Sequence, residues 1–360
     1  MDAHPSSVDS ARSGSPATNG DDATQAAQTL FRILADGESH RSADLARILG
    51  EPPERLIRHV ATLAAFGIAI DTERDAIRTT PYVLLDASSI ARLLHAAKRS
   101  PAGRPWQARV VFATDSTNDD VLAEVRADPH FQGPSLRVTE VQRKGRGRLG
   151  RAWISAPGAS LTASFALWIA RPLAGLDGVT LACGLAVHEV LTAWGAAARL
   201  KWPNDILVEG RKLAGILVEA TTARGGTLLV IGVGINLAGM DGSRGAGCLP
   251  AGVARLRAAG APPIDRNALV AGLALSLEAQ MAPFAAAGFG VFADRWNAVD
   301  AFRDLPVTLT SSWDPDVAGI ARGVDDRGAL LLDVGGERRR IIAGDVSLRL
   351  ASQPVERPAT

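Results

Sequence analysis

Gly145-Arg146-Gly147-Arg148-Leu149-Gly150-Arg151 is the stretch of this sequence that says most about its fold and function. It matches the pattern G-x-G-x-x-G of dinucleotide-binding folds, in which the glycines open a helix and an acidic residue follows about 20 positions later. Here the segment 151–158 is a poor helix former, and residues 165–176 contain no Asp or Glu. The sequence therefore predicts a flexible loop, whose glycines allow close approach to a ligand.

The same loop concentrates positive charge. Four of the eight residues from Lys144 to Arg151 are cations. Guanidinium groups match the oxygen geometry of carboxylates and phosphates. A solvated basic loop is the alternative interpretation, but alternating Gly and Arg between Gln142 and Trp153 favours a loop that grips an anion.

Working outward, four other segments carry candidate binding groups, and each also has a purely structural interpretation. Lys201-Trp-Pro-Asn-Asp205 could be a turn with an incidental lysine. Lys212 precedes an apolar strand and either extends to solvent or points its charge into a pocket. The two glycines of Ile231–Asn236 are typical of close approach to a ligand. Ser116-Thr117-Asn118 could serve only as a helix N-cap.

Composition limits the class of protein. With 360 residues, two or three domains are expected. A net charge of +1 indicates no bulk attraction for nucleic acid or membrane. Cys183 and Cys248 suit neither a disulfide framework nor a zinc site, which favours the cytoplasm. The N-terminus does not resemble a secretory signal, and no run reaches the roughly 18 apolar residues of a membrane helix.

The chain divides into blocks of α+β character. Residues 1–22, rich in Ser, Asp, Ala and Gly, are predicted to be a disordered tail. Residues 23–86 are predicted to form a winged helix-turn-helix, with two helical patterns separated by Gly50 and followed by a hairpin. Residues 90–304 are predicted to form a mixed sheet with helices on one face, because strands dominate without alternating with helices. Residues 305–350 are predicted to form a small β-barrel.

Hydrophobic periodicity places the elements of these blocks. Ser42 is the predicted N-cap of the first helix of the helix-turn-helix, and Gly50 its end. In the second block, helices are predicted at residues 117–126, 176–194, 266–284 and 289–297, and strands at residues 110–112, 136–141, 161–169, 216–220 and 228–237. In the third block, strands are predicted at residues 307–309, 318–321, 329–332 and 340–342.

Taken together, these segments closely resemble the biotin protein ligases over about residues 108–350, and more loosely over the N-terminal block. The matching segments are Asp115–Asn118, Gln142–Trp153, Lys201–Asp205, Arg211–Glu219 and Ile231–Asn236. The resemblance implies a catalytic domain like that of class II aminoacyl-tRNA synthetases, followed by an SH3-like barrel. It also implies that ATP activates biotin as biotinyl-5′-AMP, and that biotin is then transferred to a lysine of a biotin carrier protein such as that of acetyl-CoA carboxylase.

The same correspondence assigns residues to ligands. The resemblance assigns biotin binding to Ser116, Thr117, Asn118, Gln142, Arg146, Gly147, Arg148, Lys212 and Gly215. It assigns ATP and adenylate binding to Arg146, Arg148, Arg151, Trp153, Asn204, Lys212 and Asn236. Arg148, Lys212 and Asp205 are the catalytic candidates, with the two cations offsetting the repulsion between carboxylate and triphosphate and Asp205 organising the Arg loop or the metal. Mg²⁺ is expected through the phosphates, without identified protein ligands, and Gly239–Gly252 resembles the loop over the adenine.

Some family members are also biotin-sensing repressors that act through the N-terminal domain. Arg55, Arg58 and His59 are the candidate DNA contacts, and operator DNA is a candidate partner. Acidic residues at the start of the same helix and in the wing leave open the alternative of a winged helix that no longer binds DNA or binds it weakly.

Two other functional classes stay open on the sequence. One is a DNA-binding regulator that only senses biotin, and the other is a lipoate ligase of the same fold. The intact Arg146, Arg148 and Lys212 favour catalysis, and the Gly-Arg-Gly-Arg loop favours biotin over lipoate. The resemblance further implies a homodimer formed through the central sheet.

Overall fold

The computed structural model of the chain describes residues 19–97, 104–128, 131, 133–223, 225–237, 252–257, 264–311, 316–342 and 346–351. The chain forms two compact units. The first contains the chain up to Ala65 together with Ile70–Pro81, and the second contains Phe66–Ala69 and the chain from Tyr82 onward.

The first unit consists of three helices and a small antiparallel sheet of strand order β1-β3-β2. Its elements are α1 (Asn19–Leu34), β1 (His40–Arg41), α2 (Ser42–Leu49), α3 (Pro53–Ala65), β2 (Ile70–Glu73) and β3 (Ala76–Thr79). The helix α1 begins at Asn19, so the last four residues of the predicted tail are helical, and residues 1–18 lie outside the described part of the chain. The order of helices and hairpin is the predicted one, and the winged-helix assignment remains a prediction.

The ends of α2 show one correct and one wrong prediction. Gly50 follows the helix in the left-handed region, at φ 66°, as predicted. Ser42, however, does not cap the helix, because the N-cap position is Arg41 and no side chain caps it. The Ser42 backbone N–H and hydroxyl instead donate to the carbonyl oxygen of Asp75, at 2.8 and 3.2 Å. This contact ties the start of α2 to the tip of the hairpin.

The second unit is built on a seven-stranded sheet. Its helices are α4 (Ala87–Ala96), α5 (Thr117–Ala127), α6 (Val179–Ala193), α7 (Arg266–Ala287) and α8 (Ala293–Ala298). Its strands are β4 (Gln107–Thr114), β5 (Ser135–Gln142), β6 (Gly145–Arg146), β7 (Ala152–Trp153), β8 (Ser160–Ile169), β9 (Arg199–Lys201), β10 (Asp205–Val208), β11 (Arg211–Ala223) and β12 (Gly226–Asn236). The sheet order is β4-β5-β8-β12-β11-β10-β9, with β6 and β7 forming a separate ribbon. Only the β4–β5 pair is parallel, which confirms the predicted mixed sheet.

Helices cover both faces of this sheet, so the prediction of helices on one face was wrong. Phe165 of β8 is fully buried in the main core together with residues of α6 and α7. Its neighbour Ala166 points to the other face and packs with Val121 of α5 and Val230 of β12.

The predicted start of the second block at residue 90 falls inside α4. This helix begins at Ala87, where the Asp86 carboxylate accepts a hydrogen bond of 2.6 Å from the Ser89 N–H. Ile90 is fully buried in the main core of the second unit. The helix therefore belongs to the second unit.

By length and composition, α7 is a helix that could cross a membrane. Leu273 and Leu277 on it are fully buried in the main core. The buried core helices of globular proteins can be equally long and apolar. In the described part of the chain, α7 is such a core helix.

A five-stranded antiparallel sheet ends the chain. Its strands are β13 (Pro306–Ser311), β14 (Val317–Val324), β15 (Leu330–Val334), β16 (Glu337–Ile341) and β17 (Val346–Leu350), in the order β16-β15-β14-β13-β17. It shares a core with the central sheet, because Val307 and Leu330 are buried in the same cluster as Trp202. The Trp202 indole N–H also donates to the Gly328 carbonyl oxygen at 3.1 Å. The SH3-like barrel remains a prediction.

Candidate functional site

A cavity of about 330 Å³ lies beside α5, and its lining contains nearly all the predicted ligand-binding residues. The lining residues that the sequence predicted are Ser116, Thr117, Asn118, Gln142, Arg146, Gly147, Arg148, Arg151, Trp153, Asn204, Asp205, Lys212 and Gly215. These residues come from α5, β5, the Gly-Arg segment and the β10–β11 region. Separate motifs of the sequence therefore meet in one place.

The Gly-Arg segment forms a hairpin and not the start of a helix. Gly145 pairs with Trp153 and Arg146 pairs with Ala152 in the ribbon of β6 and β7. Between the two strands, residues Arg148–Gly150 make one 3₁₀ turn. A dinucleotide-binding glycine motif requires a strand, a tight turn and then a helix. The structure therefore excludes the dinucleotide interpretation.

Glycines in the site make room for the protein's own side chains. A Cβ atom on Gly232 would lie 2.5 Å from Asn118 Oδ1, and one on Gly234 would lie 2.3 Å from Trp153 Cε2. Such distances are shorter than any van der Waals contact. The close approach predicted for these two glycines of β12 is thus made by Asn118 and Trp153, which they hold in position.

A hydrogen-bonded network joins the side chains predicted to bind the biotin head. The Thr117 backbone N–H donates to Gln142 Oε1 at 3.0 Å, and the Asn118 amide donates to Glu219 Oε2 at 2.7 Å. Ser116 has both roles that the sequence left open. Its hydroxyl accepts a 3.4 Å hydrogen bond from the Asp119 N–H at the start of α5, and it also lines the cavity.

Two lysines meet on one carboxylate. Lys212 Nζ lies 2.6 Å from Asp205 Oδ1, and Lys201 Nζ lies 3.5 Å from Asp205 Oδ2. Lys212 Nζ also lies 5.4 Å from the centre of the Trp153 ring, within range of a cation–π contact. Burial lowers the pKa of Lys201, and the Asp205 carboxylate opposes this effect. Asp205 therefore positions lysines, and its predicted role in organising the arginine loop is not seen in these contacts.

The cations of the Gly-Arg segment have different surroundings. Arg146 forms an ion pair with Asp119 and lies 4.0 Å from Glu219 Oε1. Arg148 Nη1 lies 3.5 Å from Asn204 Oδ1, and Arg148 is one of the cations that line the cavity. Lys144 does not line the cavity, because it pairs at 2.8 Å with Asp115. This contact, with the help of Arg143, lowers the pKa of the Asp115 carboxyl.

Asn236 is the predicted ligand-binding residue that does not line the cavity. Its side chain is 3 % exposed and donates to the Lys212 carbonyl oxygen at 3.2 Å. Asn236 thus holds the backbone of Lys212, which lines the cavity, but its own side chain is not part of the lining. The segment 239–251 of the predicted adenine loop lies outside the described residues.

Sequence reasoning missed several lining residues. Lys201 was not among the residues assigned to a ligand, and Leu348 and Arg349 come from β17 of the C-terminal sheet. With Arg349, the lining contains six cations and one carboxylate, that of Asp205. No local pattern around residues 348 and 349 indicates a binding role, because the contact depends on how the two sheets pack.

The cavity does not supply a metal site of its own. No group of three or more His, Cys, Asp or Glu side chains suited to a metal ion occurs among the described residues. Asp205, the carboxylate of the lining, is occupied by two lysines. Binding of Mg²⁺ through nucleotide phosphates remains the prediction.

In the first unit, the prediction that His59 contacts DNA was wrong. The His59 side chain is buried at 5 % exposure, and its Nε2 pairs with the Glu51 carboxylate. It therefore holds the turn between α2 and α3. Arg55 and Arg58 are exposed on α3 and stay candidates.

Comparison with known proteins agrees with this arrangement. Residues 110–236 match the model of the biotin/lipoate A/B protein ligase family, and residues 306–349 match that of the biotin protein ligase C-terminal domain. The bifunctional ligase/repressor BirA of Salmonella typhimurium is 36% identical over 327 residues, covering 90% of this chain and 97% of that protein. The biotin–[acetyl-CoA-carboxylase] ligase of Mycobacterium tuberculosis is 34% identical over 282 residues, covering 76% of this chain and 98% of that protein.

A solved structure has the same fold. Biotin protein ligase from Aquifex aeolicus in complex with biotin and ATP superposes with a TM-score of 0.55 at 25% identity, covering 68% of this chain and 99% of that chain. The fold and the cationic cavity thus define a protein of the biotin and lipoate ligase class. Within that class, the chain belongs to the biotin protein ligase family.

Proposed function

We propose that this protein is an ATP-dependent biotin protein ligase that uses the cavity beside α5 for both half-reactions. In the first, an oxygen of the biotin carboxylate attacks the α-phosphorus of ATP. The bond to the β-phosphate breaks, pyrophosphate leaves and biotinyl-5′-AMP forms. In the second, the amine of a carrier-protein lysine attacks the acyl carbon, loses a proton and displaces AMP, so that an amide remains.

The charge of the cavity is the observation that carries this proposal. Six cations and one carboxylate line it. The first half-reaction brings a carboxylate against a triphosphate, and fixed positive groups offset the repulsion between these anions. A protein that only sensed biotin would not need charge where the phosphates meet the carboxylate.

Lys212 and Arg148 are the proposed catalytic cations. Asp205 and the Trp153 ring hold Lys212 from two sides, so its ammonium group is oriented before substrate binds. Arg148 sits on a turn between two paired strands and lines the cavity, and its proposed partner is an oxygen of the α-phosphate. Trp153 packs on Gly234, and its proposed role is to flank the adenylate.

The proposed acceptor is the lysine of a biotin carrier protein such as that of acetyl-CoA carboxylase. Incubating the protein with ATP, biotin and a carrier domain should attach biotin to the carrier lysine, as measured by mass spectrometry. Lipoate in place of biotin serves as the matched substrate control. Transfer of lipoate with no transfer of biotin would contradict the proposal and favour a lipoate ligase.

A second function, repression through operator DNA, is favoured by the distribution of ion pairs in the first unit. Arg41, Arg47 and Arg78 are paired with Asp75, Asp44 and Asp71. Among the described residues, Arg55 and Arg58 on α3 and Arg74 at the hairpin tip have no carboxylate within ion-pair distance. The helix-turn-helix and wing are the elements that face DNA in winged-helix proteins. Unpaired cations are thus left where phosphate contacts are needed.

Two smaller proposals complete this picture. We infer a homodimer from the family resemblance, which sedimentation with and without biotin and ATP would test. We also infer a cytoplasmic location, which is supported by the free, buried thiol of Cys183. Fractionation of cells that express the protein would test the location.

A further inference from the structure

Lys201 lines the cavity and has no role in either half-reaction as described so far. Its Nζ lies 3.5 Å from Asp205 Oδ2, while Lys212 Nζ lies 2.6 Å from the other oxygen of the same carboxylate. Asp205 therefore shares one negative charge between two lysines. Because Lys212 is the proposed cation at the reacting carboxylate and α-phosphate, this shared partner keeps Lys201 close to the place where the acyl carbon is activated.

Charged groups from three other strands face Lys201. The carboxylate of Asp205 on β10 attracts it, and Lys212 on β11 and Arg349 on β17 repel it. The centre of the Phe302 ring also lies 5.9 Å from Lys201 Nζ, a weak cation–π contact. Among the described residues, three cations thus share one carboxylate, and this excess of positive charge favours the loss of a proton.

Lys201 is the member of this group best suited to lose that proton. A guanidinium keeps its proton in proteins, which excludes Arg349. Of the two lysines, Lys201 is the more buried, with its side chain 21 % exposed against 37 % for Lys212, and it makes the longer contact to Asp205. Burial, together with Lys212 and Arg349, lowers the pKa of the Lys201 ammonium, although Asp205 raises it in part. Loss of a proton is therefore easier for Lys201 than for an ordinary lysine.

The two half-reactions make opposite demands on a group in this position. The first brings ATP and a carboxylate into the cavity, and a fixed ammonium offsets their negative charge. The second begins from a carrier lysine, which is an ammonium at neutral pH and cannot attack until a base takes its proton. Departure of pyrophosphate removes most of the negative charge from the cavity between these steps. A lysine surrounded by other cations suits both demands, because its protonation follows that charge.

We propose that Lys201 is a second catalytic lysine, which is an ammonium while ATP is bound and a neutral amine that accepts the proton of the carrier lysine in the transfer step. Lys201 gives its proton to the departing pyrophosphate, whose terminal oxygens are basic. It then takes a proton from the carrier ammonium, and the freed lone pair forms the bond to the acyl carbon. The bond from the acyl carbon to the phosphate oxygen breaks, and AMP leaves with the second proton of the nitrogen on its phosphate. Lys201 is thereby protonated for the next ATP.

This inference rests on the proposed biotin ligase function, and replacement of Lys201 with Arg tests it. Arginine keeps the positive charge but does not release its proton. Formation of biotinyl-5′-AMP, measured as pyrophosphate release, should stay within about threefold of wild type, because the charge is kept. Single-turnover transfer from the preformed adenylate to a carrier domain should fall by about 10²-fold at neutral pH, the usual contribution of a general base.

Two measurements separate proton acceptance from a structural effect. Wild-type transfer should level off as the pH rises through the pKa of Lys201. The rate for Lys201→Arg should instead keep rising by about tenfold per pH unit toward the pKa of the carrier lysine, because only free amine attacks. Hydroxylamine is a neutral amine at neutral pH and needs no base. Its reaction with the bound adenylate, measured as biotin hydroxamate, should therefore stay within about threefold in Lys201→Arg.

Lys212→Arg is the matched comparison, because it makes the same substitution on the same carboxylate. Any loss in this variant should be equal for the carrier and for hydroxylamine, and its transfer should keep the wild-type pH profile. Lys201→Met removes the charge as well as the base. It should lose transfer to the carrier as Lys201→Arg does, and it should also slow adenylate formation by about tenfold.

The outcomes distinguish this inference from the proposed function. If the wild-type protein forms no biotinyl-5′-AMP, the ligase proposal fails and the role of Lys201 fails with it. If the wild-type protein is active and Lys201→Arg transfers biotin to the carrier as fast, the role of Lys201 alone is refuted. An equal loss with carrier and hydroxylamine in Lys201→Arg would also refute it, because such a loss indicates general damage to the site and not a missing base.

Discussion

Replacing Asp300 with Asn should stabilise the protein at neutral pH. The Asp300 side chain is 4 % exposed and lies where β9 meets the segment leading to the C-terminal sheet, in a bridge with Leu200. Burial raises the pKa of this carboxyl to about 6, although the Phe302 N–H donates to it at 2.9 Å and lowers its pKa in part. At neutral pH, folding therefore places a charge where a neutral group would be preferred.

The size and sign of the change in the free energy of unfolding follow from the difference in the pKa of Asp300 between the unfolded and folded states. The pKa rises from an ordinary value of 3.8 to about 6 on folding. At 1.36 kcal/mol per pKa unit, this difference corresponds to about 3 kcal/mol. Because the folded state binds the proton more tightly, the stabilisation by protonated Asp300 is fully present below pH 3.8 and is lost as the pH rises through 6. Asn resembles the protonated carboxyl in shape and carries no charge at any of these pH values.

The free energy of unfolding, measured by urea titration at several pH values, tests this reasoning. Asp300→Asn should gain up to about 3 kcal/mol over wild type at pH 7.5, and the gain should shrink toward zero near pH 4. The exposed Asp316 provides a control, and Asp316→Asn should stay within about 0.5 kcal/mol at both pH values. A gain that does not vary with pH, or no gain at all, would contradict the assigned burial of charge.

The other predictions concern the two functional surfaces. Gly234→Ala should displace Trp153, since the added Cβ would lie 2.3 Å from the ring, and should raise the KM for ATP by about tenfold at unchanged expression. Arg148→Ala should slow adenylate formation by about 10²–10³-fold, measured by single-turnover formation of biotinyl-5′-AMP; full activity would remove this arginine from the mechanism. Arg55→Ala with Arg58→Ala should abolish a gel shift on the biotin-operon region and leave biotinylation of a carrier intact.

Local patterns in the sequence were sufficient to predict several helices and strands of the second unit. The strand prediction at residues 161–169 and the helix prediction at residues 117–126 agree with β8 and α5, because hydrophobic periodicity depends only on neighbours along the chain. The prediction that helices cover only one face of the sheet was wrong for the same reason. In β8, small residues alternate with large ones, and whether the small face is covered depends on α5, which lies elsewhere in the sequence.

His59 and Lys201 show that local sequence patterns can also fail to predict the role of a single residue. A histidine on a helix predicted to face DNA looks like a contact, but its burial depends on Glu51 across the turn. A lysine in a turn looks incidental, but the register of β9 against β10 pairs Lys201 with Asp205 and brings its side chain to the cavity. In both cases a partner outside the local pattern determines the role.

The sequence by itself determined which chemical groups this protein has for its reaction. The Gly-Arg segment, Lys212 and Gln142 could be identified because glycine spacing, charge and motif order are properties of the chain. Only the tertiary structure decided how those groups are oriented. The Asn118–Glu219 contact joins residues 101 positions apart, and it exists because the pairing of β8, β12 and β11 places Glu219 beside α5. Hydrogen-bond direction depends on such contacts, and no local pattern records them.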